Sequence, residues 1–307
     1  MKFPDEDYFR RADSVVENSI KEAASPYIDM ANRFARILAD VDSFEDARQQ
    51  VERRAVDDEF IDSFSALMVD GVETMDAIAR TQLVEKDTAF SRANDEKPAK
   101  FRGDAKLWFI CTNGVKVSFS LTPEEVVRIL RERTLWISGV ENDAVLKFVQ
   151  TGLETAAAEG RTYRQFLESI ESVLREKGLG RIHTVFRTNL FSAFSQAQLD
   201  QIVRMPGRFP LWRYLAILDS VTRPSHAALD GALFAENDGP YPPIDFNCRC
   251  TAQHLHKYEV EADRLRASES VNFPDVRFDF RNGIERYIAD KQTSMNPRIV
   301  DAIRRKT

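Results

Sequence analysis

The stretch Asp219-Ser-Val-Thr-Arg-Pro-Ser-His226-Ala-Ala-Leu-Asp-Gly231, resumed at Tyr241-Pro-Pro-Ile-Asp-Phe-Asn247-Cys-Arg-Cys250, carries most of what the sequence says. Turn formers crowd it, and a histidine precedes a Cys-x-Cys pair. Thiolate and imidazole are the borderline-soft ligands that suit zinc. On a strand, Cys248 and Cys250 face one side with Cα atoms about 6.5 Å apart. Both sulfurs then reach one tetrahedral ion at about 2.3 Å. His226, at the start of a short turn or helix ending at Gly231, is the candidate third ligand. His254 shares the parity of the cysteines but lies about 13 Å along the strand. Asp219, Asp230 or Asp245 are therefore better candidates for a fourth.

Two other readings compete for the same residues. In one, Cys248 and Cys250 are small buried residues and His226 is a hydrogen-bonding hub. In the other, Asp219, Arg223 and His226, or a cysteine with His226, form a nuclease-like or transferase-like site. A nucleophilic cysteine needs a neighbouring cation to lower its pKa, and Arg249 points to the opposite face of the strand.

Working outward, Trp212–Leu218 is apolar on both faces apart from Arg213, which suits a buried strand. Cys248–Leu255 reads as a second strand. Upstream, a helix over about 181–204 carries Phe186, Leu190, Phe194 and Ala197 on one face. Thr162 and Gln165 form a capping box for a helix that ends at Gly178-Leu-Gly180. Thr122-Pro-Glu-Glu125 opens another, running to about Arg133, and a further helix covers Val140–Glu159. Asn113-Gly114 between Lys106–Cys111 and Val115–Phe119 signals a β-hairpin with a type I′ turn, with Cys111 as a small core residue. Residues 92–104 form a polar linker. Toward the start, residues 5–40 have helical spacing interrupted by Pro26, so two pieces or a kink are expected. Ser43 with Asp46 marks a helix start. From there to about Ser91 the pattern predicts one long helix, or a helical hairpin bent near Gly71.

The chain has 307 residues, enough for about two domains. No run approaches the roughly 18–20 apolar residues of a membrane span, and the charged start lacks a secretory pattern. Three cysteines are too few for a disulfide scaffold, so a reducing cytosol is expected. The net charge of -6 argues against a nucleic-acid coat. Residues 1–100 hold 14 basic and 23 acidic residues; the remainder holds 29 and 26. The acidity thus belongs to the first third. A net-basic stretch follows later (Arg181, Arg187, Arg204, Arg208 and Arg213 against Asp200), and could meet phosphate or an acidic protein surface.

Thr222-Arg223-Pro224-Ser225-His226, Leu229-Asp230-Gly231, Tyr241-Pro242-Pro243 and Phe246-Asn247-Cys248-Arg249-Cys250, with Phe186-Arg187-Thr188-Asn189 upstream, closely resemble the phage Mu F-like minor head protein family. The resemblance covers about residues 122–256. It implies a virion component of a tailed phage or prophage, assembled in the host cytoplasm. Such a protein acts in procapsid assembly beside the portal, with the major capsid or scaffolding protein as further partners. It also implies an influence on DNA packaging or ejection, with phage DNA as a candidate contact, and no enzymatic activity. The family-type residues are Arg187, Asn189, Asp219, Thr222, Arg223, His226, Gly231, Pro242, Asn247, Cys248, Arg249 and Cys250. The sequence therefore predicts an α+β chain: an acidic helical region (1–97), a head-morphogenesis domain (98–258) and a C-terminal arm (259–307). Structural zinc is the candidate cofactor.

Overall fold

Asp5, Glu6 and Asp7 open α1 (Asp5–Ala39), where negative charge faces the unpaired amides of a helix N-terminus. The computed structural model describes residues 5–99, 107–110, 116–119, 123–236, 238–268, 271 and 283–307. Of the two pieces or a kink that the sequence predicts at Pro26, the two pieces are not formed: α1 runs as one helix through the proline. Its apolar stripe continues across the proline as Ala23, Tyr27, Met30 and Phe34, all buried. Burying large side chains at roughly 1.5–3 kcal/mol each offsets the ~3 kcal/mol that an interior proline costs.

Ser43 caps α2 (Phe44–Arg53), accepting the Asp46 N–H at 3.1 Å, as its sequence predicts. The next helix, α3, is Asp58–Ala93. The chain therefore breaks at 54–57 and not at Gly71, which lies inside α3. The Asp57 carboxylate accepts the Phe60 N–H at 2.9 Å, and Asn142 accepts the Asp57 N–H at 2.9 Å. The second partner is remote in sequence, so local pattern does not reveal the break.

Strands β1 (Leu107–Ile110) and β2 (Lys116–Phe119) pair antiparallel, with Leu107 opposite Phe119. The Asn113-Gly114 turn, Cys111 and Thr122 lie outside the described residues. Helix α4 (Pro123–Ala158) is continuous where two helices are expected. A Cβ on Gly139 would sit 2.8 Å from the Ile303 side chain, so this glycine serves a close helix approach and not a helix end. Helix α5 (Tyr163–Arg204) starts at the expected capping box: Gln165 N–H to Thr162 Oγ1 is 3.3 Å and Thr162 N–H to Gln165 Oε1 is 2.9 Å. It continues through Gly178-Leu-Gly180, where a break is expected.

After α5 come β3 (Leu211–Leu215), α6 (Pro224–Ala227), β4 (Leu233–Ala235) and β5 (Thr251–Leu255). The strands form an antiparallel sheet in the order β4-β3-β5, with Trp212 opposite Phe234 on one side and His254 on the other. Strand β4 is absent from the sequence reading, because its three residues lie among turn formers. Helices α7 (Lys257–Ala262), α8 (Gly283–Gln292) and α9 (Pro297–Lys306) end the chain. The architecture is α+β, dominated by helix, as the sequence predicts. No helix among the described residues is long and apolar enough to cross a membrane.

The chain forms two units. One comprises residues 1–17, 71–126 and 187–284, the other 18–70, 127–186 and 285–307. Within the second, Tyr27, Phe60, Phe64 and Phe186 make stacked and edge contacts. Buried Glu141 there accepts two bonds from Arg181, at 2.8 and 2.7 Å.

Within the first unit, a buried cation gathers elements distant in sequence. Lys86, fully inaccessible, donates to Asp5 at 2.7 Å and to the His254 carbonyl at 2.7 Å, and pairs with Glu259 at 3.0 Å. Gln82 donates to Asp5 at 2.8 Å, Gln198 to Gln82 at 3.0 Å, and the Tyr241 hydroxyl to Gln198 at 3.1 Å. His254 Nε2 lies 2.6 Å from the Tyr241 oxygen. Since that hydroxyl gives its proton to Gln198, His254 donates through Nε2 and is neutral. Burial, with Lys86 nearby, pushes its pKa down to about 3.

Two outcomes follow from this circuit. Lys86→Met leaves Asp5 and Glu259 without their buried cation, and should lower unfolding free energy by about 3–5 kcal/mol in a urea titration. Stability should also fall on acidification from about pH 6.5 toward 4, because the unfolded histidine takes up a proton that folded His254 refuses. The slope from this group is at most ~1.4 kcal/mol per pH unit. His254→Gln, which can still donate to Tyr241, should make the pH dependence of the urea midpoint shallower over that range; an unchanged slope would refute the assignment.

Candidate functional site

Strand β3 delivers the chain to the motif loop, and hydrogen bonds to β3 fix where the loop returns. Asp230 accepts the Ala216 N–H at 2.8 Å, and the Gly231 N–H reaches the Tyr214 carbonyl at 2.9 Å. Gly231 has φ +79°, a conformation that glycine adopts without Cβ strain. Between these points Pro224 starts the short helix α6, its fixed φ suited to a first helical position. This turn puts the His226 side chain inside.

Asp219 organises the outer loop. It accepts the Val221 N–H at 3.1 Å, the Thr222 hydroxyl at 3.0 Å, and two N–H groups of Arg249 at 2.6 Å each. The Arg249 bonds, foremost, hold its carboxyl well below the usual carboxylate range. A bidentate guanidinium–carboxylate pair fixes orientation as well as distance. Arg223 ties the second loop, donating to the Phe246 carbonyl at 3.1 Å and pairing with Asp245 at 3.2 Å. Asn247 adopts φ +56° and donates its N–H to Thr188 Oγ1 at 2.9 Å. The turn thereby anchors to the Arg187-Thr188-Asn189 stretch of α5. Arg187 itself reaches Glu17 at 2.5 Å, and Asn189 is buried beside it in sequence.

Inside this frame, His226 Nδ1 lies 3.5 Å from Cys248 Sγ and 3.5 Å from Cys250 Sγ. The three ligand atoms fall within 4.8 Å of one another, and all three residues are buried. The cysteines precede β5 and do not sit on it, so the turn brings the sulfurs together where strand parity was expected to. Hydrogen bonding from Cys250 lowers the Cys248 pKa against the opposing effect of burial. That bond and burial, followed by the charge on Cys248, raise the Cys250 pKa. The Tyr214 hydroxyl is buried against both sulfurs and makes no well-formed hydrogen bond among the described residues. Burial is the first cause of its raised pKa. Tyr214 is the site residue the sequence reading missed. It shares the inward face of β3 with Trp212, two residues earlier, and both are fully buried; parity was the available signal.

Asp219, Asp230 and Asp245, the expected fourth ligands, have the other partners named above and do not join the sulfur cluster. His254 is likewise occupied elsewhere, as its distance along the strand predicts. Of the two alternative catalytic sets, Asp219, Arg223 and His226 do not form a unit, since Asp219 holds Arg249 and Arg223 holds Asp245; a cysteine with His226 is brought together, at 3.5 Å. The arginines of the net-basic stretch are also engaged. Arg204 pairs with Asp200 at 3.1 Å, Arg208 with Glu96 at 2.8 Å, and Arg213 donates to Gln253 at 3.0 Å.

A sheet edge joined through a polar knot to the preceding helix, with a histidine and two cysteines inside, is a motif-defined region, and known proteins share it in sequence. Residues 147–253 match the family described as Phage Mu protein F like protein, about a third of the chain. Among relatives, the Mu-like prophage FluMu F protein of Haemophilus influenzae is 31% identical, over 45% of this chain and 38% of its own length. The putative capsid assembly protein F of Escherichia phage Mu is 27% identical, over 43% of this chain and 36% of its own length. The chain thus matches less than half the length of either relative. No solved structure matches it.

The knot's contribution is local. Arg249→Lys keeps the charge but loses the planar fork. We expect faster amide hydrogen exchange over residues 217–223 with the rest of the first unit unchanged; equal protection in wild type and variant would show that the ion pair does not hold the loop.

Proposed function

We propose that this chain is a minor head protein of a tailed phage or prophage, which joins the assembling procapsid at the portal vertex and remains in the virion. The observation that carries the reading is the family match over residues 147–253, with one relative named as a putative capsid assembly protein. A surface feature agrees with it. Among the described residues, the exposed large apolar side chains are Ile217, Leu218, Val221 and Phe246. All four lie on the two loops that Arg223 and Arg249 lash together. Leu218 and Val221 are 66% and 73% exposed, a costly arrangement unless a partner covers them. Polar knots on both sides hold the patch still, so little ordering entropy is lost on docking. The portal protein is the proposed occupant, with major capsid or scaffolding protein as neighbours in the procapsid. An influence on DNA packaging or ejection then follows from position at the vertex; the arginines paired above favour protein docking over phosphate contact.

A nuclease-like or transferase-like site of Asp219, Arg223 and His226 has less support, because the three have separate partners. The test is compositional. Antibody against the chain should detect it in purified heads, and Leu218→Asp with Val221→Asp should cut its incorporation at least about tenfold, equivalent to ~1.4 kcal/mol of lost docking energy. Absence from heads, together with full infectious particles after gene deletion, would overturn the reading.

A further inference from the structure

We propose that His226, Cys248 and Cys250 hold a zinc ion that staples the α6 turn to the segment entering β5. The argument is geometric. In tetrahedral zinc, bonds of about 2.3 Å to sulfur and ~2.05 Å to nitrogen set an N···S edge of roughly 3.5 Å. Both N···S separations here are 3.5 Å. Two of the three donor–donor edges therefore already have the corner spacing of a coordination shell, the sulfurs lie within 4.8 Å of each other, and the donors come from segments more than twenty residues apart.

Hydrogen bonding alone accounts for this arrangement less well. Nδ1 has either one lone pair or one hydrogen, and so satisfies one sulfur by a directed bond. Two sulfurs nevertheless stand at the same distance from it. One ion at the centre explains both. Charge gives the same answer. Two thiolates buried together are costly, whereas two thiolates with a divalent zinc are neutral. On binding, both thiols release their protons to solvent, and the imidazole binds as its neutral form with hydrogen on Nε2. The guanidinium of Arg249, the residue between the two cysteines, donates to Asp219 and not to the sulfurs. The Tyr214 hydroxyl, buried beside the sulfurs, donates to a coordinated thiolate and acts as a positioning residue. The role is structural: the staple closes the base of the two loops that bear Leu218, Val221 and Phe246. The inference stands apart from the head-assembly reading, because metal content is read on the isolated chain.

The full chain, produced with zinc supplementation and dialysed exhaustively, should contain about one zinc per molecule by elemental analysis, as tight structural sites do. His226→Ala, Cys248→Ser and Cys250→Ser should each fall below about 0.2, while Cys111→Ser keeps its metal. Tyr214→Phe should bind with an affinity about 10-fold weaker. Because the ligand variants can fail to fold, the wild-type chain stripped by a chelator is also titrated with cobalt(II). The expected result is the intense visible spectrum of tetrahedral cobalt with thiolate charge-transfer bands. Less than about 0.2 zinc per wild-type chain with no tetrahedral cobalt spectrum overturns the proposal. So does full metal content in folded Cys248→Ser or His226→Ala.

Discussion

The first unit is organised around an ammonium group that water never reaches. Lys86 sits in the last quarter of α3 with no accessible surface, and a buried ion needs partners close enough to replace its hydration shell. Asp5 supplies one from the first turn of α1, Glu259 another from α7, and the carbonyl of His254 a third from β5. Misplacing any of the three elements leaves a charge unpaired in a poorly polarisable interior, so their mutual placement is strongly determined. The amide and phenol chain through Gln82, Gln198 and Tyr241 extends that demand to α5 and to the motif loop. Apolar packing around it, such as Leu83, Ile202, Met205 and Phe209, is less selective about direction.

The same logic recurs at the motif on a smaller scale. Asp219 with Arg249 and Arg223 with Asp245 are polar links between loops that have no regular backbone pairing of their own. Each is exposed enough that its energetic worth is small. Their value is geometric: they hold four apolar side chains outward and a histidine and two thiols inward, from about thirty residues of chain. Sequence conveyed these residues as a set because turn formers, charges and ligand types are all concentrated there.

What was legible follows from range. Local chemistry is written in neighbouring residues, so the Ser43 cap, the Thr162–Gln165 box, the paired strands on either side of Asn113-Gly114 and the α6 turn ending at Gly231 could all be read. Breaks set by distant partners could not. Asn142 fixes Asp57 across 85 positions, and Ile303 makes sense of Gly139 only once α9 lies against it. Glycine signals misled at Gly71 and Gly178-Leu-Gly180, where the helix continues, and Pro26 does not divide α1, whose buried face offsets the local cost. At the candidate site, ligand types and spacing identified His226, Cys248 and Cys250. The aspartates proposed beside them were claimed by nearer arginines and backbone amides, and Tyr214 emerged only when strand parity was known.

The segmental make-up of the first unit bears on when it can form. Asp5 bonds to Gln253 as well as to Lys86, a contact spanning 248 positions. At translation rates of about 5–20 residues per second, the N-terminal turn exists for roughly 10–50 s before that partner is synthesised. During that interval Asp5 and Lys86 lack their β5 partners. Completion of the first unit therefore waits on the synthesis of β5. That delay leaves a window in which a holding chaperone, or another protein made at the same time, meets surfaces that the finished molecule never displays.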